Sequence, residues 1–352
     1  MNTRELNSFS ALIAISILIF GLTGTSVYAD QEDQHSHKRW FSFALIGDVP
    51  YNVAPGENYP PYNTLVKNIN NDLDIDWVMH AGDIKSGSTA CSDGLFSDRL
   101  ERFNQFYKPF IYTPGDNEWT DCHRVKAGEY QPLERLAKLR EVFFPQPGVT
   151  LGANPFWVYS QAFSQDNQEF PENVLWVHKE VVFASVHVVG SNNGLKAFDA
   201  DSSVLRTQAD DDEAQRRIQA AIKWIDSVFT IAEQQQAKGV FIMMQANPEI
   251  ERGLPEVGSK ELKDKRLGFN EILKKLEEHT KSFASPVVLA HGDSHYFRVD
   301  QPGLSDPDEY IANFTRVETY GESRVHWVKV TVDPESNNVF QFKRQVIKEN
   351  VE

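Results

Sequence analysis

The stretch FSFALIGD, residues 41–48, places an apolar run directly before a Gly-Asp pair. The same arrangement returns at residues 76–83, DWVMHAGD, and at residues 110–116, FIYTPGD. The segments between these runs, 62–71 and 95–107, carry apolar residues at helical spacing. Alternating strands and helices predict a β-α-β-α-β unit, in which the parallel strands all end in carboxylates at one edge of a sheet.

In the second half of the chain, two more predicted strands end in polar residues. The apolar run 240–244 leads into Gln245-Ala246-Asn247, and the run 287–290 leads into His291-Gly292-Asp293-Ser294-His295. Because ligands bind beyond the carboxyl ends of strands in α/β sheets, we expect the five polar clusters to share one crevice. The other predicted elements are helices at 130–143, 211–236 and 259–279, and strands at 174–178, 181–189, 296–299, 324–332 and 339–346.

The N-terminus predicts export. An apolar run from Ala11 to Phe20 is followed by Val27-Tyr28-Ala29, the pattern of a secretory signal at residues 1–29 that is cleaved after Ala29. An uncleaved membrane anchor is the open alternative, because Glu5 offsets Arg4 ahead of the apolar run. No later run has membrane-spanning length. Residues 30–352 show no repeat or long linker and are predicted to form a single periplasmic or extracellular domain.

Charge and cysteine content narrow the possible partners. The formal net charge of −15 repels polyanions, so nucleic acid is not expected as a partner, and no membrane contact is expected beyond the signal. The two cysteines, Cys91 and Cys122, predict a disulfide in an exported protein; two buried thiols are the alternative.

Several carboxylates in one crevice repel each other and cost desolvation, and bound divalent cations are the usual compensation. The order of strand ends resembles the calcineurin-like metallophosphoesterase superfamily, whose motifs are Asp-x-His, Gly-Asp, Gly-Asn-His-Asp/Glu, a later His and Gly-His-x-His. The resemblance extends from Phe41 to about Val332. It implies an α/β fold, a four-layer α/β/β/α sandwich of two mixed β-sheets flanked by helices. It also implies a hydrolase of phosphoric esters that uses two metal ions and a hydroxide bridging them.

The first two motifs are matched by their aspartates. Asp48 occupies the first motif, but Pro50 stands at the histidine position, and the adjacent Tyr51 is an open substitute ligand. Asp83 matches the carboxylate that holds both ions.

The later motifs depart further from the family. A gap-free alignment puts Asp116 at the metal-binding Asn and Asn117 at the His that steadies the leaving group; a register shifted by one makes Asn117 the ligand. Gln245 stands where a His is expected. Asp293 replaces the first His of the last motif, and His295 keeps the second.

The resemblance therefore implies two divalent ions. One is held by Asp48 and His295, the other by Asp116 or Asn117, Gln245 and Asp293, and Asp83 holds both. A set rich in oxygens favours Mn, Mg or Ca, with Fe or Zn also possible.

Asn117, Asp83 and His295 are the predicted catalytic residues. Asn117 cannot act as a general acid, which predicts slow turnover or substrates with good leaving groups.

The predicted substrate is a small phosphoester of unspecified identity, with Lys85, Arg124 and Asn192 as candidate contacts. His123 is a further candidate proton donor, whereas His80 and His187 lie in apolar strands and are predicted to be core residues. The alternative function is a catalytically impaired family member that binds a metal, a phosphate or a partner. That alternative accounts for the missing histidines at the Pro50, Asn117 and Gln245 positions.

Overall fold

Two β-sheets form the centre of the protein. The computed structural model describes residues 39–250, 266–306 and 308–351, so the predicted signal at residues 1–29 lies outside the described residues. In the described part, one sheet has the order β12-β11-β1-β2-β3 and the other the order β4-β5-β6-β7-β8-β10-β9. Their strands are β1 Phe41–Ile46, β2 Ile75–His80, β3 Phe110–Tyr112, β4 Tyr159–Ser160, β5 Val174–His178, β6 Val181–Ser185, β7 Gly239–Met243, β8 Val287–His291, β9 Arg298–Asp300, β10 Phe314–Glu318, β11 Trp327–Val332 and β12 Phe340–Gln345.

The described helices flank these sheets: α1 Pro60–Asn71, α2 Asp93–Phe103, α3 Pro132–Phe143, α4 Gln208–Gln234 and α5 Asn270–Ser282. Helix α4 begins three residues before its predicted start. The reason is local, because the carboxylate of Asp210 accepts hydrogen bonds from the backbone N–H and the hydroxyl of Thr207, 2.8 and 2.7 Å away. Part of the predicted helix 259–279 falls at 259–265, outside the described residues. None of the described helices combines the length and the hydropathy needed to cross a bilayer.

Three buried apolar clusters separate the layers. Strand β1 shows the principle, since Phe43 and Leu45 face the cluster between the two sheets while Ala44 and Ile46 face the cluster under α1, α2 and α3. A third cluster packs α4 and α5 against the second sheet. The layers therefore run helix, sheet, sheet, helix, which confirms the predicted four-layer α/β sandwich.

Strand β10 is not predicted by the sequence analysis. This strand pairs in parallel with β8, and two of its five residues are the charged Arg316 and Glu318. Both side chains are buried, and they pair with Asp300 and Arg298 of the neighbouring β9. Paired charges inside a strand hide the apolar alternation on which a sequence-based assignment depends.

Candidate metal centre

The carboxyl ends of strands from both sheets meet in one crevice. Strands β1, β2 and β3 are parallel, as are β7 and β8 of the other sheet. The backbone N–H of Asp293, beyond β8, donates to Oδ1 of Asp48, beyond β1, at 3.0 Å. Carboxylate oxygens of Asp83, Asp116 and Asp293 all lie within 4.8 Å of one another. The predicted convergence of the strand ends is present for these four aspartates.

The glycines of the Gly-Asp pairs let backbone and carboxylate approach closely. A Cβ atom added at Gly115 would lie 2.1 Å from Oδ1 of Asp83, and one at Gly292 would lie 2.3 Å from Oδ2 of Asp48. Both distances are far below van der Waals contact. Gly115 and Gly292 are therefore needed for the packing of the acidic side chains and not only for a turn.

Burial and the repulsion of neighbouring carboxylates act together on Asp83 and Asp293. Burial raises the pKa of Asp83 well above its ordinary value, and the charges of Asp116 and Glu118 raise it further. Burial and the charge of Asp116 likewise raise the pKa of Asp293. A bound divalent cation would remove this repulsion, and carboxylate oxygens are the ligands that hard cations prefer. The donor set therefore fits a divalent metal ion.

His295 lies at the edge of the cluster, where its ring contacts two carboxylates. Nε2 is 3.5 Å from Oδ1 of Asp48 and Nδ1 is 3.2 Å from Oε2 of Glu322. Burial lowers the pKa of His295, but the hydrogen bonds and charges of these two carboxylates outweigh it and raise the pKa to about 9. Asp48 and His295 are thus adjacent, as a shared ion would require.

Gln245 turns a donor towards the cluster. Its Oε1 accepts from the backbone N–H of Gly190 at 2.7 Å, and its Nε2 donates to Oδ1 of Asp116 at 3.3 Å. A backbone N–H can only donate, so the amide oxygen must face Gly190. Coordination by Oε1 would use its second lone pair or require the amide to turn away from Gly190, and the ligand role of Gln245 stays a prediction.

Asn117 also presents an amide nitrogen. Its Nδ2 donates to Oδ2 of Asp83 at 2.8 Å and to Oη of Tyr51 at 2.9 Å, and this tyrosine hydroxyl donates in turn to Oδ2 of Asp83 at 2.9 Å. The carboxylate of Asp116, by contrast, lies within the cluster. Which of the two residues binds the metal, Asp116 in the gap-free register or Asn117 in the shifted one, stays a prediction.

The three candidate substrate contacts are held by the protein itself. Lys85 is fully buried and donates to the backbone oxygen of Ser86 at 3.0 Å. Burial lowers its pKa to about 8, although nearby carboxylates oppose the shift. Arg124 pairs with Asp121 at 2.5 Å. Oδ1 of Asn192 accepts from the backbone N–H of Gly268 at 2.9 Å. To contact a substrate, Lys85, Arg124 and Asn192 would have to leave these protein partners or form additional hydrogen bonds.

The histidines outside the cluster have structural roles. His80 and His187 are fully buried, which confirms them as core residues, and burial lowers the pKa of His80 to about 4. Nδ1 of His123 lies 2.8 Å from the carbonyl oxygen of Thr120, and its Nε2 accepts from the N–H of Asp199 at 3.1 Å. Both ring nitrogens of His123 are therefore engaged within the loop.

Glu118 links the strand ends on which Asp83 and Asp116 lie. Its fully buried carboxylate accepts from the N–H groups of Asp83 and Gly115, at 3.1 and 2.6 Å, and from the hydroxyl of Tyr112 at 2.7 Å. Burial raises its pKa to about 7. Glu118 thereby joins the ends of β2 and β3, the strands that deliver Asp83 and Asp116.

A disulfide joins Cys91 to Cys122, with Cα atoms 5.9 Å apart, and confirms the predicted pairing. It ties the loop after β2 to the loop after β3, and both sulfurs lie 3.6 Å from the carbonyl oxygen of Asn117. A disulfide is compatible with an exported protein. Export after cleavage near Ala29 stays a prediction.

We expect the Cys91→Ser/Cys122→Ser double variant to lose about 3 to 4 kcal/mol of unfolding free energy, because the bond closes a loop across 31 residues. Denaturant unfolding of the variant and of the oxidised wild type measures the difference. Reduced wild type is the matched control and should unfold at the same denaturant concentration as the variant. An unchanged midpoint in the variant would contradict the role of the bond.

A cavity of about 960 Å³ opens beside the acidic cluster. It reaches the cluster at Asp293 and is also lined by Ser191, and Lys196 is the one cation among its described lining residues. Its wall is otherwise mixed, with Leu195, Leu267 and Phe269 as the larger apolar side chains. The cavity is large enough for a sizeable leaving group next to the candidate metal ligands.

Residues 41–215 match the family of calcineurin-like phosphoesterases. The chain belongs to that family. Eighteen chains of solved structures are similar to it. One is a purple acid phosphatase from yellow lupin (Lupinus luteus) seeds, with 13% sequence identity and a TM-score of 0.47, over 88% of this chain and 55% of the lupin chain. The present chain thus spans about half the length of that phosphatase. No curated protein matches the sequence.

Proposed function

We propose that this protein is a metal-dependent hydrolase of phosphoric esters with a centre for two divalent ions. The observation that carries the proposal is the set of three carboxylates, from Asp83, Asp116 and Asp293, within 4.8 Å of one another at the strand ends of a phosphoesterase fold. The adjacent Asp48 and His295 supply the donors for a second ion. Family membership supports the reaction class.

Two divalent ions held at this site would supply an activated water molecule and electrostatic stabilisation of the attacking and leaving oxygens in a displacement at phosphorus. In the proposal Asp83 holds both ions, with Asp48 and His295 on one and Asp116 and Asp293 on the other. The amide nitrogen of Asn117 donates to Asp83 and to Tyr51, and in the proposal it would turn one of these N–H groups to a phosphoryl oxygen of the substrate. Because an amide does not transfer a proton to the leaving group, esters with good leaving groups are the preferred substrates.

The test is hydrolysis of an aryl phosphate monoester and a diester by chelator-treated protein, with Mn, Mg, Ca or Zn added back. We expect activity only after metal is restored, and uptake of Mn, Mg or Ca in a parallel titration. Exclusive tight uptake of Zn would contradict the oxygen-rich donor set. An Asp83→Asn variant purified in the same way controls for contaminating phosphatases.

A second candidate function is metal or phosphate binding without turnover. It is favoured by Asn117 and Gln245, which stand where the family has histidines. Their amide nitrogens act as hydrogen-bond donors to Asp83 and Asp116 and not as metal ligands. Metal uptake without hydrolysis of either ester, whichever metal is added, would support this alternative over the enzyme.

A further inference from the structure

Three consecutive residues other than glycine adopt a left-handed backbone next to the acidic cluster. Ser191 has φ 50° and ψ 46°, Asn192 has φ 56° and ψ 44°, and Asn193 has φ 53°. Each such residue costs about 1 kcal/mol or more, and a run persists only where its surroundings impose it. Left-handed strain of this kind concentrates at functional sites.

The surroundings impose the conformation through hydrogen bonds on both sides of the turn. The side chain of Asn192 accepts from the N–H of Gly268 at 2.9 Å, and the side chain of Asn193 donates to the carbonyl oxygen of Gly268 at 3.0 Å. Oδ1 of Asn193 also accepts from the N–H of Val189 at 3.2 Å, and the guanidinium of Arg217 donates to the backbone oxygen of Asn193 at 3.0 Å. The turn is therefore fixed by its asparagines.

The fixed turn delivers the hydroxyl of Ser191 to a candidate metal ligand. Oγ of Ser191 lies 3.0 Å from Oδ2 of Asp116 and 2.9 Å from Oδ1 of Asp121. A Cβ at Gly190 would lie 2.6 Å from Oδ2 of Asp116, so this carboxylate packs directly against the turn. Gln245 contacts the other oxygen of Asp116. The two oxygens of Asp116 thereby contact Ser191 and Gln245, which both lie outside its own loop. The single hydroxyl proton of Ser191 is shared between Asp116 and Asp121.

We propose that Ser191 is a positioning residue that orients the carboxylate of Asp116 for metal binding. This inference rests on the proposed function for the role of Asp116. The hydroxyl fixes the rotation of the carboxylate, and the left-handed turn is the backbone conformation that brings the hydroxyl there. Ser191 acts through Asp116, as partners of metal ligands do when they tune metal affinity.

The test compares Ser191→Ala, Ser191→Gly and Ser227→Ala. Both Ser191 variants lose the hydroxyl, but glycine also relieves the left-handed strain. Ser227 is an exposed helical serine whose hydroxyl donates to the carbonyl oxygen of Lys223, so its variant controls for loss of a serine hydroxyl. The measurements are calorimetric titration of chelator-treated protein with Mn²⁺ and thermal unfolding with and without Mn²⁺.

We expect both Ser191 variants to bind Mn²⁺ about tenfold or more weakly, whereas Ser227→Ala binds like wild type. Without metal, Ser191→Gly should be more stable than Ser191→Ala. A structural role alone would lower unfolding temperatures equally with and without Mn²⁺, and a role in substrate contact would change KM and leave Mn²⁺ affinity intact. Either result overturns the inference.

The outcomes also separate this inference from the proposed function. If wild type binds Mn²⁺ without hydrolysing esters and the Ser191 variants bind Mn²⁺ weakly, the inference is supported and the proposed enzymatic function is contradicted. If wild type hydrolyses esters and both Ser191 variants keep the Mn²⁺ affinity of wild type, the inference about Ser191 is contradicted and the proposed function is not. A wild type that takes up no divalent metal overturns both.

Discussion

An Asp83→Asn variant is expected to lose metal-dependent hydrolysis by about a thousandfold or more, because the two ions of the proposed centre would supply several kcal/mol of transition-state stabilisation. The contacts of Asp83 explain why asparagine cannot substitute. Its Oδ2 accepts from Tyr51 and from Nδ2 of Asn117, and its Oδ1 lies 3.3 Å from the backbone N–H of Asn117. In the Asp83→Asn variant, the one amide oxygen that remains would accept hydrogen bonds from Tyr51 and Asn117, and these donors compete with a cation for it. The amide nitrogen of the variant cannot bind a cation.

The matched control for this variant is Asp76→Asn. Asp76 lies on the same strand, β2, where it is 44% exposed and 3.9 Å from the ring of His178. We expect this control to keep wild-type activity and Mn²⁺ affinity, measured by aryl phosphate hydrolysis and calorimetric titration. Full activity in Asp83→Asn would refute the proposed two-ion mechanism, since no other residue is assigned to both ions.

The backbone of the site could be predicted from the sequence, because its signals are local. Strand, glycine and aspartate follow each other at Asp48, Asp83 and Asp116, and parallel strands in one sheet necessarily end at one edge. The position of Asp293 beside them depends on how two sheets pack. For that residue the prediction rests on the general rule that ligands bind beyond the carboxyl ends of strands, and the ordered resemblance to a family supports it.

The direction of the side chains could not be predicted. Gln245 offers a lone pair or a donor depending on one N–H group of Gly190, which lies 55 residues earlier in the chain. Lys85 follows a motif aspartate by two positions, yet it is buried and not exposed to a substrate. The sequence of the turn at Ser191 is typical of an ordinary surface turn. Only the contact of Ser191 with Asp116 in the structure distinguishes this turn from others.

An Asp293→Asn variant is expected to be more stable than wild type without metal at neutral pH and to lose stabilisation by metal. Burial raises the pKa of Asp293 well above its ordinary value of 3.8, and the charges of Asp116 and Asp48 add to the shift. Asparagine keeps an oxygen that accepts from the N–H of Asn247, as Oδ2 of Asp293 does at 2.9 Å. Its amide nitrogen can donate to the neighbouring carboxylates. Relief of this repulsion corresponds to roughly 1 to 3 kcal/mol, or several degrees in the unfolding temperature.

The dependence on pH has the opposite sign from that of a carboxylate in a salt bridge. Since the pKa of Asp293 is raised on folding, the folded state binds its proton more tightly than the unfolded state does, and stability falls as pH rises above about 3.8 towards the raised value. Without metal, the variant should show a smaller fall than wild type and Asp76→Asn between pH 4 and pH 7.5, measured by thermal unfolding. With saturating Mn²⁺ the order should reverse at pH 7.5, because wild type gains binding free energy that the variant lacks. A variant that is less stable than wild type without metal at pH 7.5 would show that Asp293 is compensated by the protein itself, and the acidic cluster would then need no cation.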